Sequence, residues 1–378
     1  MTDWSLAFIA HEVHRHGGQE RAAAEVLSRV ARRARVHVIA RLCELDGVEW
    51  TPIGGPRRPA VLRAWAFARA AAVAERRAGC TISNSIGAAA READVITAQF
   101  CHAAFTARFG GLRGVSWPGV AYQRLAQGVF VGDERRAYRS RRLRRVIAVS
   151  RGTARELAEH YGVPGDRIRI VPNGVDHTVF HPAPDAAARR MLRMSLGLPP
   201  DAFIALFVGG DWERKGVRDA VDATAAVHDV HLVIVGRGDA SAMFAYAVRA
   251  GAAGRVHVHP PSPAPERYYA ASDAFVFPSR YEAFSLVTLE AAASGLPIVC
   301  HAINGTEELV ADGVNGWLVP FGADAIAQRL TSLRDDASLR ARMGVAAVES
   351  SLPYAWDRVA AAYFDVLDEA ARGKQGPA

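Results

Sequence analysis

Cysteine is scarce in this sequence, and its spacing excludes two kinds of structural site. The 378 residues include four cysteines (Cys43, Cys80, Cys101 and Cys300), which are scattered and form no Cys-x-x-Cys pair. Because structural zinc sites and disulfide-stapled domains need closely spaced or numerous cysteines, neither is expected here. This usage is typical of a reducing compartment and predicts a cytoplasmic protein.

Long apolar runs are also lacking. The N-terminal run WSLAFIA is shorter than the apolar region of a signal peptide, and no basic segment precedes it. Nowhere does the sequence hold about 18 consecutive uncharged apolar residues, so no transmembrane helix is predicted. With 50% hydrophobic residues, the chain nevertheless has ample material for globular cores.

Lysine is nearly missing, whereas arginine is abundant. The chain contains two lysines, Lys215 and Lys374, against 44 arginines. Residues 1–172 hold 28 arginines and 15 acidic residues, while the remaining 206 residues hold 18 basic and 24 acidic ones. This asymmetry indicates an anionic partner for the N-terminal half of the chain.

The stretch RRAYRSRRLRR at 135–145 concentrates this positive charge. At helical spacing its arginines would mostly cover a solvated face, and the alternative is an anionic membrane surface as partner. A nucleic-acid partner is not expected, because no aromatic platform is interleaved with the basic residues.

Strand and helix patterns alternate along the chain. Apolar runs such as RVHVIAR, DVITAQF and AFIALFVGG are typical of strands, and helical patterns such as RGTARELAEHYG lie between them. This alternation predicts parallel sheets with helices on both faces. The turn-rich stretch IRIVPNGVDHTVFHPAPD interrupts it, so we predict an N-terminal domain at 1–172, a hinge at 173–184 and a C-terminal domain at 185–355. The last helix, at 356–372, could pack on either domain.

The first motif that could carry chemistry is HEVHRHGGQE. Its His-Glu-x-His spacing differs from the His-Glu-x-x-His that puts two zinc ligands on one helix face, so no metal site is predicted. Gly17 and Gly18 instead separate the first strand from the first helix, where backbone N–H groups can approach an anion closely.

Two more glycine-containing loops follow buried strands. In LFVGGDWERKGV, Gly209 precedes Arg214 and Lys215, two adjacent cations that suit a diphosphate leaving group; an ordinary basic loop is the alternative. The stretch VGRGDAS begins like a dinucleotide fingerprint, but it lacks the third glycine and the acid about 20 residues later. An NAD site is therefore not predicted there.

The segment FVFPSRYEAFSLVTLEAAASGLPIV carries two carboxylates eight positions apart. Glu282 is expected in a loop after a strand, and Ser285 is expected to cap a helix from about Leu286 to Ala293. Glu290 then lies inside this helix, and the helix N-terminus lies between the two acids. Such a layout suits one extended ligand with hydroxyls at each carboxylate and an anion at the helix start. A solvated Glu282 and an arginine-paired Glu290 are the alternative.

Together these motifs resemble the retaining, nucleotide-sugar-dependent glycosyltransferases of family 4. The segment just described contains a Glu-x7-Glu pair like that of the family, NGVDHTVFHP resembles its hinge, and FVGGDWERKGV and GGQERAAAE resemble its two loops. The resemblance implies an α/β protein of the GT-B fold, in which two Rossmann-like α/β domains face a central cleft that closes on the donor.

The resemblance also implies roles for individual residues. The expected catalytic residues are Arg214 and Lys215, which would hold the donor diphosphate, Glu282, which would bind hydroxyls of the donor sugar, and His102, near the reacting carbon. The expected donor-binding residues are Gly17, Gly18, Gly209, Arg214, Lys215, Ser285, Leu286, Val287 and Glu290, the last of these at the ribose.

The predicted activity is transfer of a hexose-type sugar from a nucleoside-diphosphate sugar, with a UDP-sugar favoured, to an acceptor hydroxyl. A cell-envelope glycan, a glycolipid or a secondary metabolite would be the acceptor. The sequence has no Asp-x-Asp manganese motif in a suitable loop, so neither a metal nor another cofactor is expected. A nucleotide-sugar epimerase of the same fold and a non-catalytic membrane-surface module are the alternatives. The predicted location is the cytoplasm, including the inner face of the membrane.

Overall fold

The computed structural model describes residues 2–56, 58–109 and 117–375. The chain forms two units. Unit 1 is built from the residues up to Asn173 together with those from Trp356 onward, and unit 2 is Gly174–Ala355. Each unit is a parallel α/β layer structure, as the alternating sequence pattern predicts.

Unit 1 contains most of the N-terminal half. Its strands are β1 (Ser5–Ile9), β2 (Glu12–Val13), β3 (Arg35–Ala40), β4 (Leu42–Cys43), β5 (Glu49–Pro52), β6 (Ile82–Ile86), β7 (Val95–Ala98), β8 (Arg145–Ala148) and β9 (Ile168–Ile170). Its helices up to Asn173 are α1 (Gln19–Val30), α2 (Ala60–Ala78), α3 (His102–Phe109), α4 (Trp117–Tyr138) and α5 (Arg151–Tyr161). Seven strands form a parallel sheet in the order β5-β3-β1-β6-β7-β8-β9, and β2 pairs with β4.

Strand β6 has a polar sequence, ISNSI, although all five of its residues are buried. Its buried groups are hydrogen-bonded: the Ser83 N–H donates to Asp94, and Asn84 exchanges hydrogen bonds with Thr97. Because these partners come from distant residues, hydrophobic patterning alone does not reveal this strand.

Unit 2 repeats the same plan. Its strands are β10 (Phe203–Val208), β11 (Val230–Val235), β12 (Val256–His259), β13 (Ala274–Phe277), β14 (Ile298–His301) and β15 (Gly316–Val319). Its helices are α6 (Ala186–Ser195), α7 (Val217–Ala226), α8 (Ala240–Arg249), α9 (Glu266–Ala271), α10 (Leu286–Ala293), α11 (Thr306–Leu309), α12 (Ala323–Asp335) and α13 (Ala337–Ser351). The parallel sheet has the order β12-β11-β10-β13-β14-β15.

The strand order creates a switch point in each sheet. From β10 the chain adds β11 and β12 on one side, and it then crosses to place β13 on the other side of β10. In unit 1, β3 and β6 likewise lie on opposite sides of β1. The loops that leave the carboxyl ends of such strands diverge, and the crevice between them is where ligands bind in open α/β sheets.

The C-terminal helix α14 (Trp356–Gln375) belongs to unit 1. It packs against α1, and the Trp4 indole N–H donates to Asp368 at 2.9 Å. Tyr363 lies at 2.6 Å from the Thr97 hydroxyl, and Glu369 accepts from Arg145 at 2.8 Å. Unit 1 is therefore completed by the last residues of the chain.

Local structure follows the sequence patterns in some segments and departs from them in others. Helix α10 is found from Leu286 to Ala293, as predicted. Helix α6 was not predicted, because turn-forming residues precede it in the sequence. Asp185 is its N-cap and accepts from the Ala188 N–H.

The arginine stretch at 135–145 does not follow its predicted helical spacing. Helix α4 ends at Tyr138, a turn follows, and β8 begins at Arg145. Arg142 contacts Glu75 and Asp94, and Arg145 contacts Glu369. These arginines are held by carboxylates of unit 1 rather than lining one solvated helix face, because buried and half-buried acids of other elements are close enough to pair with them.

Among the helices of residues 2–56, 58–109 and 117–375, none combines the length and apolar character needed to cross a bilayer.

Candidate functional site

The switch point of unit 2 brings together two loops far apart in sequence. Strand β10 ends at Val208 and leads into Gly209–Gly216, and β13 ends at Phe277 and leads into Pro278–Ser285. Because β10 and β13 are neighbours in the sheet, the loops meet at one edge. The Arg280 N–H donates to the carbonyl of Arg214 at 3.0 Å, which ties the loops together.

Arg214 and Glu282 form an ion pair in this crevice. The Arg214 Nη1 lies 2.8 Å from Glu282 Oε1 and also donates to the Tyr281 carbonyl, while its Nε donates to Asp211 at 2.7 Å. Burial disfavours the charged guanidinium, but Glu282 and Asp211 outweigh it and raise the pKa of Arg214. The Ser279 hydroxyl donates to the same Glu282 oxygen at 3.1 Å. Two residues predicted as separate donor contacts are thus bonded to each other.

Lys215 is held more loosely than Arg214. Its Nζ lies 3.9 Å from Glu282 Oε1 and 5.2 Å from the centre of the Phe277 ring. A Cβ on Gly209, whose φ is +146°, would come within 2.7 Å of this ammonium. Because residue 209 is a glycine, the Lys215 side chain has room to pass across the loop. The Lys215 ammonium keeps hydrogen-bonding capacity for an anion, since 3.9 Å exceeds a hydrogen-bond length.

The N-terminus of α10 opens beside these residues. The Ser285 hydroxyl accepts from the Thr288 N–H, so Ser285 is the N-cap that the sequence predicts. The N–H groups of Leu286 and Val287 belong to the first turn of the helix, where no carbonyl of a preceding turn is present to accept from them. The positive end of the helix dipole thus adds to the charge of Lys215.

Glu290 lies in α10 but deep in unit 2. Its side chain is 3% exposed, and its Oε2 accepts from the Tyr269 hydroxyl at 2.7 Å. Tyr269 itself is fully buried in α9. Glu290 is therefore held by a tyrosine that the sequence did not suggest, and its predicted ribose contact stays a prediction.

His301 is a neighbour of this cluster that the sequence did not suggest. It ends β14, is 1% exposed, and its Nδ1 lies 3.2 Å from the carbonyl of Ser279, the residue that donates to Glu282. Burial lowers the pKa of His301, so the ring is neutral and Nδ1 is the donor. Its Nε2 is buried without a hydrogen-bond partner among the described residues. Only the fold brings His301 close to Ser279.

In unit 1, Gly17 and Gly18 form the start of α1. Gly17 has a φ of +89°, and Gly18 is the N-cap without a side-chain hydrogen bond. Both are exposed. The first turn of α1 is therefore accessible to an anion, as predicted for a strand–glycine–helix junction.

His102 begins α3 and is oriented by a buried carboxylate. Its Nδ1 lies 2.8 Å from Oε1 of Glu134, whose side chain is 3% exposed. The other oxygen of Glu134 accepts from the His102 N–H at 3.0 Å and from the Tyr161 hydroxyl. The His102 Nδ1 therefore donates to Glu134, and its Nε2 faces away from this bond. Glu134 could not be recognised beforehand, because it lies in the arginine-rich end of α4.

A cavity of 240 Å³ adjoins His102 at the switch point of unit 1. It is lined by residues that follow β1, β6 and β7, and by α2 and α4. Its polar lining is His11, Gln19, Arg63, Gln99, His102, Asp133 and Glu134. The cavity combines apolar walls with a few polar groups, as small-molecule sites do.

For two other motifs the sequence predicts neither an NAD site nor a metal site, and the structure describes their surroundings. In VGRGDAS, a Cβ on Gly238 would lie 2.3 Å from the ring of Trp212, so this glycine accommodates an indole. For HEVHRHGGQE, no group of three or more metal-ligating side chains occurs over residues 2–56, 58–109 and 117–375. Asp335 pairs with Arg334, and Asp336 caps α13.

Two Rossmann-like units, each built on a parallel sheet, are the architecture of the GT-B fold. A solved structure of WaaG, a glycosyltransferase involved in lipopolysaccharide biosynthesis, matches 98% of this chain and 100% of its own with a TM-score of 0.80 at 20% identity. Sucrose-phosphate synthase from Thermosynechococcus elongatus gives 0.81 at 19% identity over 98% and 100%. HepE from Anabaena, solved with UDP-glucose, gives 0.76 at 19% identity over 97% and 100%. These likenesses confirm the predicted fold.

The chain belongs to glycosyltransferase family 4. The sequence model described as Glycosyltransferase Family 4 matches residues 16–179, and the one described as Glycosyl transferases group 1 matches residues 188–349. A D-inositol 3-phosphate glycosyltransferase of Xylanimonas cellulosilytica is 38% identical over 261 residues, covering 65% of this chain and 61% of that protein. The protein of that name from Thermobispora bispora is 36% identical over 244 residues, covering 60% and 56%. The matches thus span less than two thirds of these relatives.

Proposed function

We propose that this protein transfers a sugar from a nucleoside-diphosphate sugar, a UDP-sugar first, to a hydroxyl of a small acceptor, with retention at the anomeric carbon. The observation that carries the proposal is the cluster of Arg214, Lys215 and Glu282 beside the α10 N-terminus. Fixed cations and helix N–H groups stabilise a departing diphosphate. Family membership and the UDP-glucose complex of HepE support the donor class.

The proposed reaction breaks the bond between the anomeric carbon and a phosphate oxygen and forms a bond from that carbon to the acceptor oxygen. The acceptor proton passes to the leaving phosphate on the same face of the sugar. Negative charge that develops on the diphosphate would meet Lys215 and the first turn of α10. Glu282, bonded to Arg214, would orient hydroxyls of the sugar, and Glu290 would meet the ribose.

A divalent metal is not needed in this proposal, because Arg214 and Lys215 provide the positive charge that a metal would otherwise supply. A retained rate of UDP release in EDTA is the expected result. Loss of activity in EDTA that manganese restores would contradict it.

The acceptor is proposed to bind in the 240 Å³ cavity beside His102. Its polar lining suits a small polyol, and the exposed Arg63 provides a cation for an anionic group on it. Inositol 3-phosphate is the first acceptor to test, because the curated relatives carry that name. His102 would contact the reacting hydroxyl. The broader acceptor classes, a cell-envelope glycan, glycolipid or secondary metabolite, follow as test substrates.

The decisive experiment is a donor screen with UDP-, GDP- and TDP-sugars, each with and without inositol 3-phosphate. Acceptor-dependent release of the nucleoside diphosphate and an anomeric proton signal of retained configuration are expected. Conversion of the donor sugar without nucleotide release would instead identify an epimerase. Should no donor bind by calorimetry, the proposal fails.

The basic charge of unit 1 extends the proposal to the place of action, the cytoplasm and the inner face of an anionic membrane. Arg136, Arg142, Arg144 and Arg145 are engaged with unit 1 carboxylates, so the exposed Arg135, Arg139 and Arg141 would have to carry this contact. Co-sedimentation with vesicles containing anionic lipid is expected. Equal recovery with neutral and anionic vesicles would contradict it.

A further inference from the structure

A second cavity lies in unit 2 on the edge of the sheet opposite to the switch-point loops. It is lined by Ser272 and Asp273, which precede β13, and by Leu296, which precedes β14. These are amino ends of strands, whereas Lys215 and Glu282 follow carboxyl ends. The cavity has a volume of 330 Å³, which suits a small molecule.

The walls of this cavity are about equally polar and apolar, and its charges are positive in sum. Small apolar residues of α13 and of the segment at Pro182 line much of it. Arg189 and Arg340 are its cations, and of the lining residues Asp273 is the one carboxylate. Asp273 pairs with Arg189 at 3.2 Å and with Arg193 at 2.7 Å, so two guanidinium groups share this carboxylate, and Arg340 adds a further positive charge. An anion is the ligand that this surplus favours.

Two polar groups at this cavity have no protein partner. Ser294, at the end of α10, lines it and is 4% exposed, and its hydroxyl is buried without a hydrogen bond among the described residues. The Nε of Arg189 is buried in the same unpartnered state. Buried polar groups are nearly always paired, so these two groups have hydrogen-bonding capacity left at the residues that line the cavity.

The cavity is also lined by residues that are hydrogen-bonded to Glu290. Tyr269 lines the cavity, and its hydroxyl donates to Glu290 Oε2 at 2.7 Å. Ser294 and Glu290 lie on the same short helical segment, and the Ser294 N–H donates to the Glu290 carbonyl at 3.0 Å. A ligand that displaces Tyr269 or Ser294 therefore changes the position of Glu290.

We propose that this cavity is an effector site for a small anion that carries an apolar group, and that its occupancy changes the affinity of unit 2 for the nucleotide through Tyr269 and Glu290. The carboxylate or phosphate of the effector would contact Arg189, Arg340 and Ser294. Its apolar part would lie against α13. Anion binding stands on its own, whereas the effect on nucleotide affinity rests on the proposed function.

Calorimetric titration with phenyl phosphate tests the site, with benzyl alcohol as the uncharged probe. Phenyl phosphate is expected to bind, and benzyl alcohol at least tenfold more weakly. Arg340→Gln should weaken phenyl phosphate binding at least tenfold, and Ser294→Ala at least threefold. Arg342→Gln is the matched control, since Arg342 lies on the same helix, does not line the cavity, and its guanidinium donates to Ser338. Its affinity should equal that of the unaltered protein.

The donor loop could also attract this phosphate, and Lys215→Ala separates the two locations. Binding that survives Lys215→Ala and is lost in Arg340→Gln supports the cavity. Binding lost in Lys215→Ala and kept in Arg340→Gln, or no binding at all, overturns the proposal.

Linkage is tested by titrating UDP with and without saturating phenyl phosphate. A change of threefold or more in UDP affinity is expected, and Tyr269→Phe should abolish the change while phenyl phosphate still binds. Equal UDP affinities in the unaltered protein would overturn the link to Glu290. If UDP does not bind under any condition while phenyl phosphate does, the proposed function fails and the anion site stands.

Discussion

Arg214 and Lys215 are adjacent in sequence but differ in how their charges are balanced. Arg214 contacts Asp211 and Glu282, whereas the Lys215 ammonium is 3.9 Å from its carboxylate and makes no hydrogen bond with it. A ligand phosphate therefore gains more new contact from Lys215. At Arg214 it must compete with two carboxylates.

Replacing Lys215 tests this difference. We predict that Lys215→Ala raises the dissociation constant of UDP at least tenfold, equivalent to about 1.4 kcal/mol. Arg218→Ala is the control, because Arg218 lies on α7, where its guanidinium stacks on Tyr246. Calorimetry should give an unchanged UDP affinity for the control. Equal affinities for both variants would remove Lys215 from the site.

Replacing Glu282 should have a different signature. In Glu282→Gln the carboxylate that balances Arg214 is gone, so UDP should bind as tightly as before or more tightly. Turnover should fall at least tenfold, because the neutral amide accepts donor-sugar hydroxyls less strongly. Steady-state kinetics with UDP calorimetry separates the effects. A rise in the UDP dissociation constant with unaltered kcat would contradict this assignment.

Glu369 makes the stability of unit 1 dependent on pH. Hydrogen bonds from Arg145 and then Arg169 lower its pKa to about 2, from an ordinary value of 4.5. A lowered carboxyl pKa contributes stability above pH 4.5, and this contribution is lost as pH falls towards 2. Its size is modest, since the side chain is 37% exposed. Glu369→Gln should lower the urea midpoint at pH 6 but hardly at pH 2, and Glu159→Gln, an exposed change on α5, should not.

At the scale of elements, the loop between β10 and α7 depends on glycine for two separable reasons. Gly216 has a φ of +70°, and a Cβ there would lie 2.2 Å from the Pro278 carbonyl oxygen in the loop after β13. Gly197 has nearly the same φ, +69°, with nothing within 4 Å of its hypothetical Cβ. Comparing Gly216 with Gly197 therefore separates the cost of the left-handed backbone from the cost of a close contact with Pro278.

Alanine at these two positions should therefore destabilise unit 2 unequally. Gly197→Ala carries only the left-handed backbone cost of about 1–2 kcal/mol. Gly216→Ala adds a clash worth about a further 1–3 kcal/mol and should also weaken UDP binding. Urea denaturation gives both free energies of unfolding. Equal values would show that the approach to Pro278 is relieved without cost.

Elements with local signals could be predicted, and their long-range contacts could not. Helix α10 was predictable because Ser285 caps it and Gly295 follows it. That Arg214 binds Glu282 depends on β10 and β13 being neighbours, which no local pattern contains. His301 and Glu134 were missed for the same reason.

At the scale of the whole molecule, unit 2 is one uninterrupted segment, whereas unit 1 needs two. Residues 174–355 supply a complete sheet with its own core. The N-terminal residues up to Asn173 lack α14, whose Tyr363 is hydrogen-bonded to buried Asn84. Removing α14 exposes this network and the apolar faces around it.

Two truncated chains test this asymmetry. We predict that residues 174–355 fold alone, with a cooperative urea transition and retained UDP affinity. The chain that ends at Ala355 should keep the transition of unit 2 and lose the native fold of unit 1. Amide exchange would then show protection in β10–β15 and rapid exchange in β6 and β7. Protection of both sheets would contradict the structural role of α14.

The fold class was predictable from alternation alone, and the unit to which the last helix belongs was not. The amphipathic pattern of α14 is compatible with either parallel sheet. Its place is decided by particular partners such as Trp4 for Asp368 and Arg145 for Glu369. Such pairs join residues more than 200 positions apart.

The return of α14 to unit 1 also sets an order of events on the ribosome. Unit 2 is a domain inserted into another domain, and all of its residues are synthesised before α14 emerges. It can fold during translation, while the N-terminal sheet waits with one layer open until α14 has left the exit tunnel. The nascent N-terminal part therefore needs protection by chaperones for the longest time. Premature termination just before Trp356 would release a chain in which unit 1 stays incomplete and exposes apolar surface.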